Sequence, residues 1–198
     1  MSTNSSPDSH FLSAIKNRTS ESHKKLENLS ISASLTSPEM RISDYATYLS
    51  LMHDVHKSAE KILFPILNEQ IDDLNKRKKT HLIEEDLNYL GVNKTTSDIV
   101  FYKTDISVPF ALGMLYVIEG SSLGGRFILK NVTTISGLDT GNGIAYFSGY
   151  GDKTGSYWKN FLNFLSEYEQ NYNQGDVVIE GAIYAFESIY NHFRSVEV

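Results

Sequence analysis

Apolar positions along this chain recur at intervals of three and four residues, and Val/Ile/Thr alternation never persists long enough to make a strand. The pattern predicts an all-α protein. The first helix is expected from Ser9 or His10 to about Asn28, with Leu12, Ile15, Thr19, Ser22, His23 and Leu26 along one face. A loop, Ile31 to Met40, follows. Ser43-Asp44 then opens a long helix through about Phe64, and Pro65 is expected to bend or restart it before Ile66 to Leu74. The next helix, Lys76 to Leu90, stops at Gly91. After a polar connection at Asn93 to Asp98, Ser107 and Pro109 form the cap and first turn of a helix that continues to about Thr134. Gly137 to Gly151 carries five glycines and is expected to be an irregular loop. Two closing helices follow: Tyr157 to Tyr172, apolar at Trp158, Phe161, Leu162, Leu165 and Tyr168, and Val177 to Phe193 beyond Gly175-Asp176.

With 198 residues and 40% hydrophobic content, the chain can fill one core, so residues 10–198 are expected to form a single domain behind a short disordered tail, residues 1–9. The tail shows no basic segment followed by an apolar run, and no apolar stretch reaches the roughly 18–20 residues of a membrane span. A formal charge of −6 argues against nucleic-acid binding. The absence of cysteine excludes disulfides, thiolate catalysis and Cys-ligated metals, so any metal must be held by His, carboxylate or Tyr. The expected setting is cytoplasmic, with no membrane partner.

The most informative stretch is ALGMLYVIEGSSLGGRFILK, residues 111–130, where a long apolar helix is interrupted by Gly120, Gly124 and Gly125. Mid-helix glycine costs about 0.5–1 kcal/mol relative to Ala, and is retained where something approaches the backbone closely. Gly120 and Gly124 are i and i+4, so one stripe is bare main chain; such spacing serves a large flat guest or a close helix crossing. Ser121 and Ser122 place hydroxyls beside the stripe, which a dry helix seam would not favour. On the first helix His23 has Glu27 at i+4, able to hold the imidazole tautomer, and Lys16 two turns earlier, about 10 Å away. Taken alone, each of these is an ordinary helix residue. Taken together, they outline an axial ligand for a metal in a planar ring, which is haem. Phe186 and Phe193 align two aromatic faces on the last helix, equally consistent with core.

These motifs, in this order, resemble the bacterial haem oxygenases. The likeness runs through Thr19-x-x-x-His23-x-x-x-Glu27 with its preceding Lys16, through Glu119-Gly120-Ser-Ser-Leu-Gly124-Gly125, the loop Phe147-Ser-Gly-Tyr-Gly151 with Trp158 and Phe161, and Ala185-Phe186 with Phe193. The Leu115 to Gly120 approach is most similar to bacteriophytochrome-associated members. The resemblance implies an all-α bundle in which haem lies between the first helix and a kinked, glycine-containing distal helix. His23 is then the iron ligand, and Lys16 a propionate partner. Gly120, Ser121 and Gly124 form the catalytic distal wall. Glu27, Ser122, Gly125, Lys159, Phe186 and Phe193 complete the haem site. The implied reaction cleaves haem to biliverdin, CO and ferrous iron with O2 and electrons from an external donor, a ferredoxin or flavin reductase. Bare backbone would steer dioxygen toward a meso carbon.

Two departures from the family pattern stand out. Ser121 occupies the place of an aspartate found in animal members, and Asn163 stands where a second propionate cation is expected beyond Lys159. They prompt an alternative: a haem carrier or sensor of the same fold without turnover. A third reading, a non-haem di-iron or thiamine-related protein, draws on His53, His56 and Glu60 on adjacent turns, but no matching carboxylate helix accompanies them.

Overall fold

The computed structural model describes residues 7–135, 137–139 and 142–197. Residues 1–6 of the expected tail lie outside the described residues, and Pro7 already opens the first helix. The described elements are α1 (Pro7–Glu27), α2 (Ser30–Ser34), α3 (Ile42–Leu67), α4 (Thr80–Tyr89), α5 (Val108–Val132), α6 (Ala145–Ser148), α7 (Thr154–Tyr172) and α8 (Gly175–Arg194). Short 3-10 turns occupy Leu74–Arg77 and Gly151–Lys153. Among the described residues there is no strand, only an isolated bridge between Asp139 and Asn142. No described helix is long and apolar enough to cross a membrane.

The pattern in α5 explains its place. It is the most apolar helix of the bundle; Ala111, Leu112, Met114 and Leu115 are fully buried, and it packs against α8, α3, α7 and α6. The tightest crossing is with α8. A Cβ on Gly113 would lie on the Val178 carbonyl, and one on Gly181 would lie on the Phe110 carbonyl, so each helix presents a glycine where the other's backbone passes. Helix α1 packs on α8 and α7, completing the layer across from α5.

Several boundaries differ from the periodicity, each for a local reason. Helix α3 starts at Ile42, with Asp44 accepting the Arg41 N–H at 3.1 Å. It runs through Pro65 without a restart, because Pro65 lies in the last turn and the helix closes at Leu67. The basic segment 76–79 is not α-helical. It ends a 3-10 turn, and α4 begins where the Glu60 carboxylate accepts the N–H groups of Lys79 and Thr80 at 2.7 and 2.9 Å. Asp86 does the same for α6, accepting from Ala145 and Tyr146 at 2.7 and 2.9 Å, so a helical turn forms inside the expected glycine loop. Ser107 is the N-cap of α5, without a side-chain cap bond, and Pro109 sits in its first turn. Helix α5 is unbroken through Gly120, Gly124 and Gly125.

Candidate functional site

Between α1 and α5 lies a cleft of ≈ 1140 Å³, somewhat above the range, about 300–1,000 Å³, usual for small-molecule sites. Helix α1 contributes Lys16, Thr19, His23, Lys24 and Glu27 to one wall, and α5 contributes Tyr116, Gly120, Ser121, Gly124 and Phe127 to the other. Tyr48, Met52 and Val55 of α3 and Phe186, Ile189 and Phe193 of α8 form the apolar inner end, and Trp158 and Leu162 of α7 close one side. The cavity is therefore a hydrophobic slot with cations and one imidazole along a single edge.

On the α1 wall His23 Nδ1 lies 3.2 Å from Glu27 Oε2, an i,i+4 pairing that engages Nδ1 and leaves Nε2 as the unpaired ring nitrogen. The ring stands edge-on to Phe186, centroids 5.5 Å apart at 83°, which fixes its tilt. Half of its side chain is exposed to the open cleft. Thr19 gives its hydroxyl proton to the Ile15 carbonyl at 2.8 Å, presenting its methyl to the slot.

On the α5 wall the stripe is bare in the way the spacing predicts. A Cβ on Gly124 would meet nothing within 4 Å, and one on Gly120 would touch only the Trp158 ring at 3.6 Å. These two glycines are not used for a helix crossing; Gly113 and Gly181 are. The space above Gly124 is open, and the imidazole of His23 in the same cleft is a donor of the type that holds a metal in a planar ring.

Behind the α5 wall lie further buried polar groups. Ser121 Oγ gives its proton to the Ile118 carbonyl at 2.7 Å, and the Tyr146 hydroxyl lies 3.1 Å from His56 Nε2, the two sharing one hydrogen bond. Burial pushes the His56 pKa down to about 3, aided by Lys79 and His53, and raises that of the Tyr146 phenol well above its ordinary value.

This histidine carries a sign for stability. Its folded pKa lies below its ordinary 6.5, so folding stability is fully present above that pH and falls as pH drops toward 3, by up to about 1.4 kcal/mol per pH unit. Asp86 acts in the opposite sense: burial raises its pKa to about 6, so the folded state takes up that proton first and gains stability as pH falls from 6 toward 3.8. In urea unfolding, the stability of the His56→Gln variant relative to the parent is expected to improve steadily as pH falls below 6.5. A pH-independent difference contradicts the buried neutral imidazole.

Of the expected site residues, the cleft brings together Lys16, His23, Glu27, Gly120, Ser121, Gly124, Phe186 and Phe193. Three others do not line it. Ser122 lies about 200° around α5 from Gly120, and its buried Oγ has no hydrogen-bond partner. Gly125 faces the far side of the helix, where a Cβ would press on the Phe147 ring at 3.0 Å. Lys159 follows the inward-facing Trp158 and is exposed on the outside of α7, as is Asn163. Tyr116, Lys24 and Phe127 line the cleft and were not anticipated; Tyr116 precedes Gly120 by one turn and Phe127 follows Gly124 by one turn, so the glycine stripe itself points to them. Phe127 is 81% exposed at the mouth.

The di-iron alternative finds no converging ligands. His53 pairs with Glu84 at 3.1 Å, His56 with Tyr146, and Glu60 with backbone N–H groups. Among the described residues the one potential cluster is Asp54, Asp98 and His192, and there the Lys94 ammonium already sits 2.9 Å from Asp54.

Known proteins share this chain's sequence and fold. Heme oxygenase PigA of Pseudomonas aeruginosa is 29% identical over 174 residues, 85% of this chain and 83% of that protein. The heme oxygenase of Neisseria meningitidis, solved with NO and CO bound, superposes with a TM-score of 0.78 at 25% identity over 93% of this chain and 90% of that one. Heme oxygenase-1 of the cyanobacterium Synechocystis, solved in complex with heme, shares the fold with a TM-score of 0.70 at 14% identity, covering 94% and 92%. The heme oxygenase family signature matches residues 9–195, and the chain belongs to that family.

Proposed function

We propose that the cleft binds haem with His23 Nε2 as the iron ligand, and that the chain cleaves the ring oxidatively to biliverdin, CO and ferrous iron, using O2 and an external electron donor such as a ferredoxin or flavin reductase. The observation that carries this reading is the opposition of an oriented imidazole and bare main chain across one apolar slot. Bound haem supplies the metal at which dioxygen is activated and is itself the ring that is opened.

The protein's own groups do the rest. Glu27, 3.2 Å from Nδ1, favours the tautomer that carries its proton there and so aims Nε2 at the iron. Unlike a thiolate, a neutral imidazole gives little push toward O–O cleavage. Lys16 and Lys24 offer ammonium groups at the open edge for the two carboxylates of the ring. Gly120 and Gly124 keep side chains away from the reacting face, so that the helix backbone limits where dioxygen can lie. Ser121 presents its oxygen on the cleft wall, where it can hold water that delivers protons toward that face, at the place of the aspartate of animal members.

Turnover tests the reading. Protein loaded with hemin and supplied with ascorbate should lose its Soret band while biliverdin absorption and CO appear; a stable reduced-haem spectrum contradicts it. Ser121→Ala should lower kcat about 10- to 100-fold by removing the partner of that water, with hemin affinity unchanged. Equal loss of affinity would instead mean that Ser121 shapes the cleft. We place the activity in the cytoplasm and keep the bacteriophytochrome-associated type as an expectation from the Leu115 to Gly120 segment.

A further inference from the structure

The residue immediately before the bare stripe is Glu119, and it is buried to 3% exposure on the side of α5 turned away from the cleft. Arg77 Nη1 donates to Glu119 Oε2 at 2.6 Å, and the Tyr150 hydroxyl reaches both carboxylate oxygens at 3.0 and 3.1 Å. Both partners are held in turn. Arg77 donates from Nε and Nη2 to the two oxygens of Asp73 at 2.9 and 3.0 Å, and its guanidinium lies over the rings of Tyr157 and Phe161. The Tyr150 ring stacks on Tyr157, 4.2 Å apart and 4° from parallel, with Lys79 Nζ 3.3 Å from its centroid. Two separate segments, the turn 74–77 and the glycine loop, therefore meet at one carboxylate of α5, with α7 packed against both.

The cleft side of the same helix has almost nothing to hold it. Gly124 has no neighbour where its Cβ would be, and Gly120 has only ordinary contact with Trp158. With no side chain at Gly120 and Gly124, the height and rotation of the backbone there are set chiefly from the opposite face. A buried ion pair adds little stability over a well-packed apolar pair, so what such a network supplies best is a single defined geometry. The pairing is directional, since two oxygens receive donors from two rigidly packed side chains.

We propose that Glu119 is a positioning residue for the distal wall: through Arg77 and Tyr150 it fixes the Gly120–Gly124 backbone over the cleft and so sets the room left for dioxygen. The proposal deepens the functional reading above and rests on it. Its first test needs no haem, so the two can fail separately. In hydrogen exchange on the haem-free protein, Glu119→Gln should speed exchange of amides 120–127 about tenfold, with amides in the middle of α8 unchanged. Tyr150→Phe, which removes one donor and keeps the ion pair, should speed the same amides about threefold. Uniform acceleration along the chain, or none in 120–127, overturns the proposal. If Glu119→Gln fails to fold, the Tyr150→Phe result decides on the same terms. In hemin turnover, Glu119→Gln should lower kcat about tenfold while KM for hemin stays within about twofold, because the carboxylate does not line the cleft. An unchanged kcat also overturns it.

Discussion

Replacing His23 with Ala is expected to remove the imidazole-ligated haem spectrum and to lower turnover more than about 100-fold, since loss of an outer partner alone costs about 10- to 100-fold. Glu27→Gln should fall within that smaller range. Neither change should disturb folding by more than about 0.5 kcal/mol, because both side chains are more than half exposed. The prediction is sharp because no other histidine lines the cleft. His53 is engaged with Glu84, His56 with Tyr146 and His192 with Asp54, at 3.1, 3.1 and 3.2 Å. An unchanged absorption spectrum of hemin-loaded His23→Ala would therefore place haem outside this cavity altogether.

The glycines of α5 should divide into two classes with opposite behaviour. Gly113→Ala puts a methyl onto the Val178 carbonyl and should cost about 3 kcal/mol or more, because neither backbone of the α5–α8 crossing can yield without separating the helices. Gly124→Ala meets open space and should stabilise the haem-free fold by about 0.5–1 kcal/mol through helix propensity. Gly124→Leu should leave the fold equally intact and weaken hemin binding by about 100-fold or more, since its side chain would occupy the face kept for the ring. Thermal melts and hemin titrations on the three variants separate these effects. Destabilisation by Gly124→Ala would mean that the stripe serves packing.

The all-α class and the bare stripe at Gly120 and Gly124 follow from periodicity and from side chains one helical turn apart, which are local quantities. The pairing of α1 with α5 across one guest followed from the family resemblance. The resemblance of His23, Glu27 and the glycine segment to haem oxygenases supplied the identity of the guest. What was illegible depends on distant partners. Nothing near Thr80 or Ala145 announces a helix start, because the caps are the carboxylates of Glu60 and Asp86, at least twenty residues away. Ser122 and Gly125 were grouped with the cleft because they neighbour it in sequence, whereas the rotation of α5 turns them elsewhere. Gly113 and Gly181 were passed over because the crossing that requires them joins residues nearly seventy apart.

The central claim is that haem sits between His23 and the naked stretch of α5, and the chain carries its own reporter for this. Its single tryptophan, Trp158, lines the cleft beside Gly120. Titration of hemin into the haem-free protein should quench Trp158 emission to completion at one equivalent, in step with growth of a Soret band, and Gly124→Leu should abolish both signals together. A Soret band that grows while the tryptophan emission stays unquenched would contradict the account.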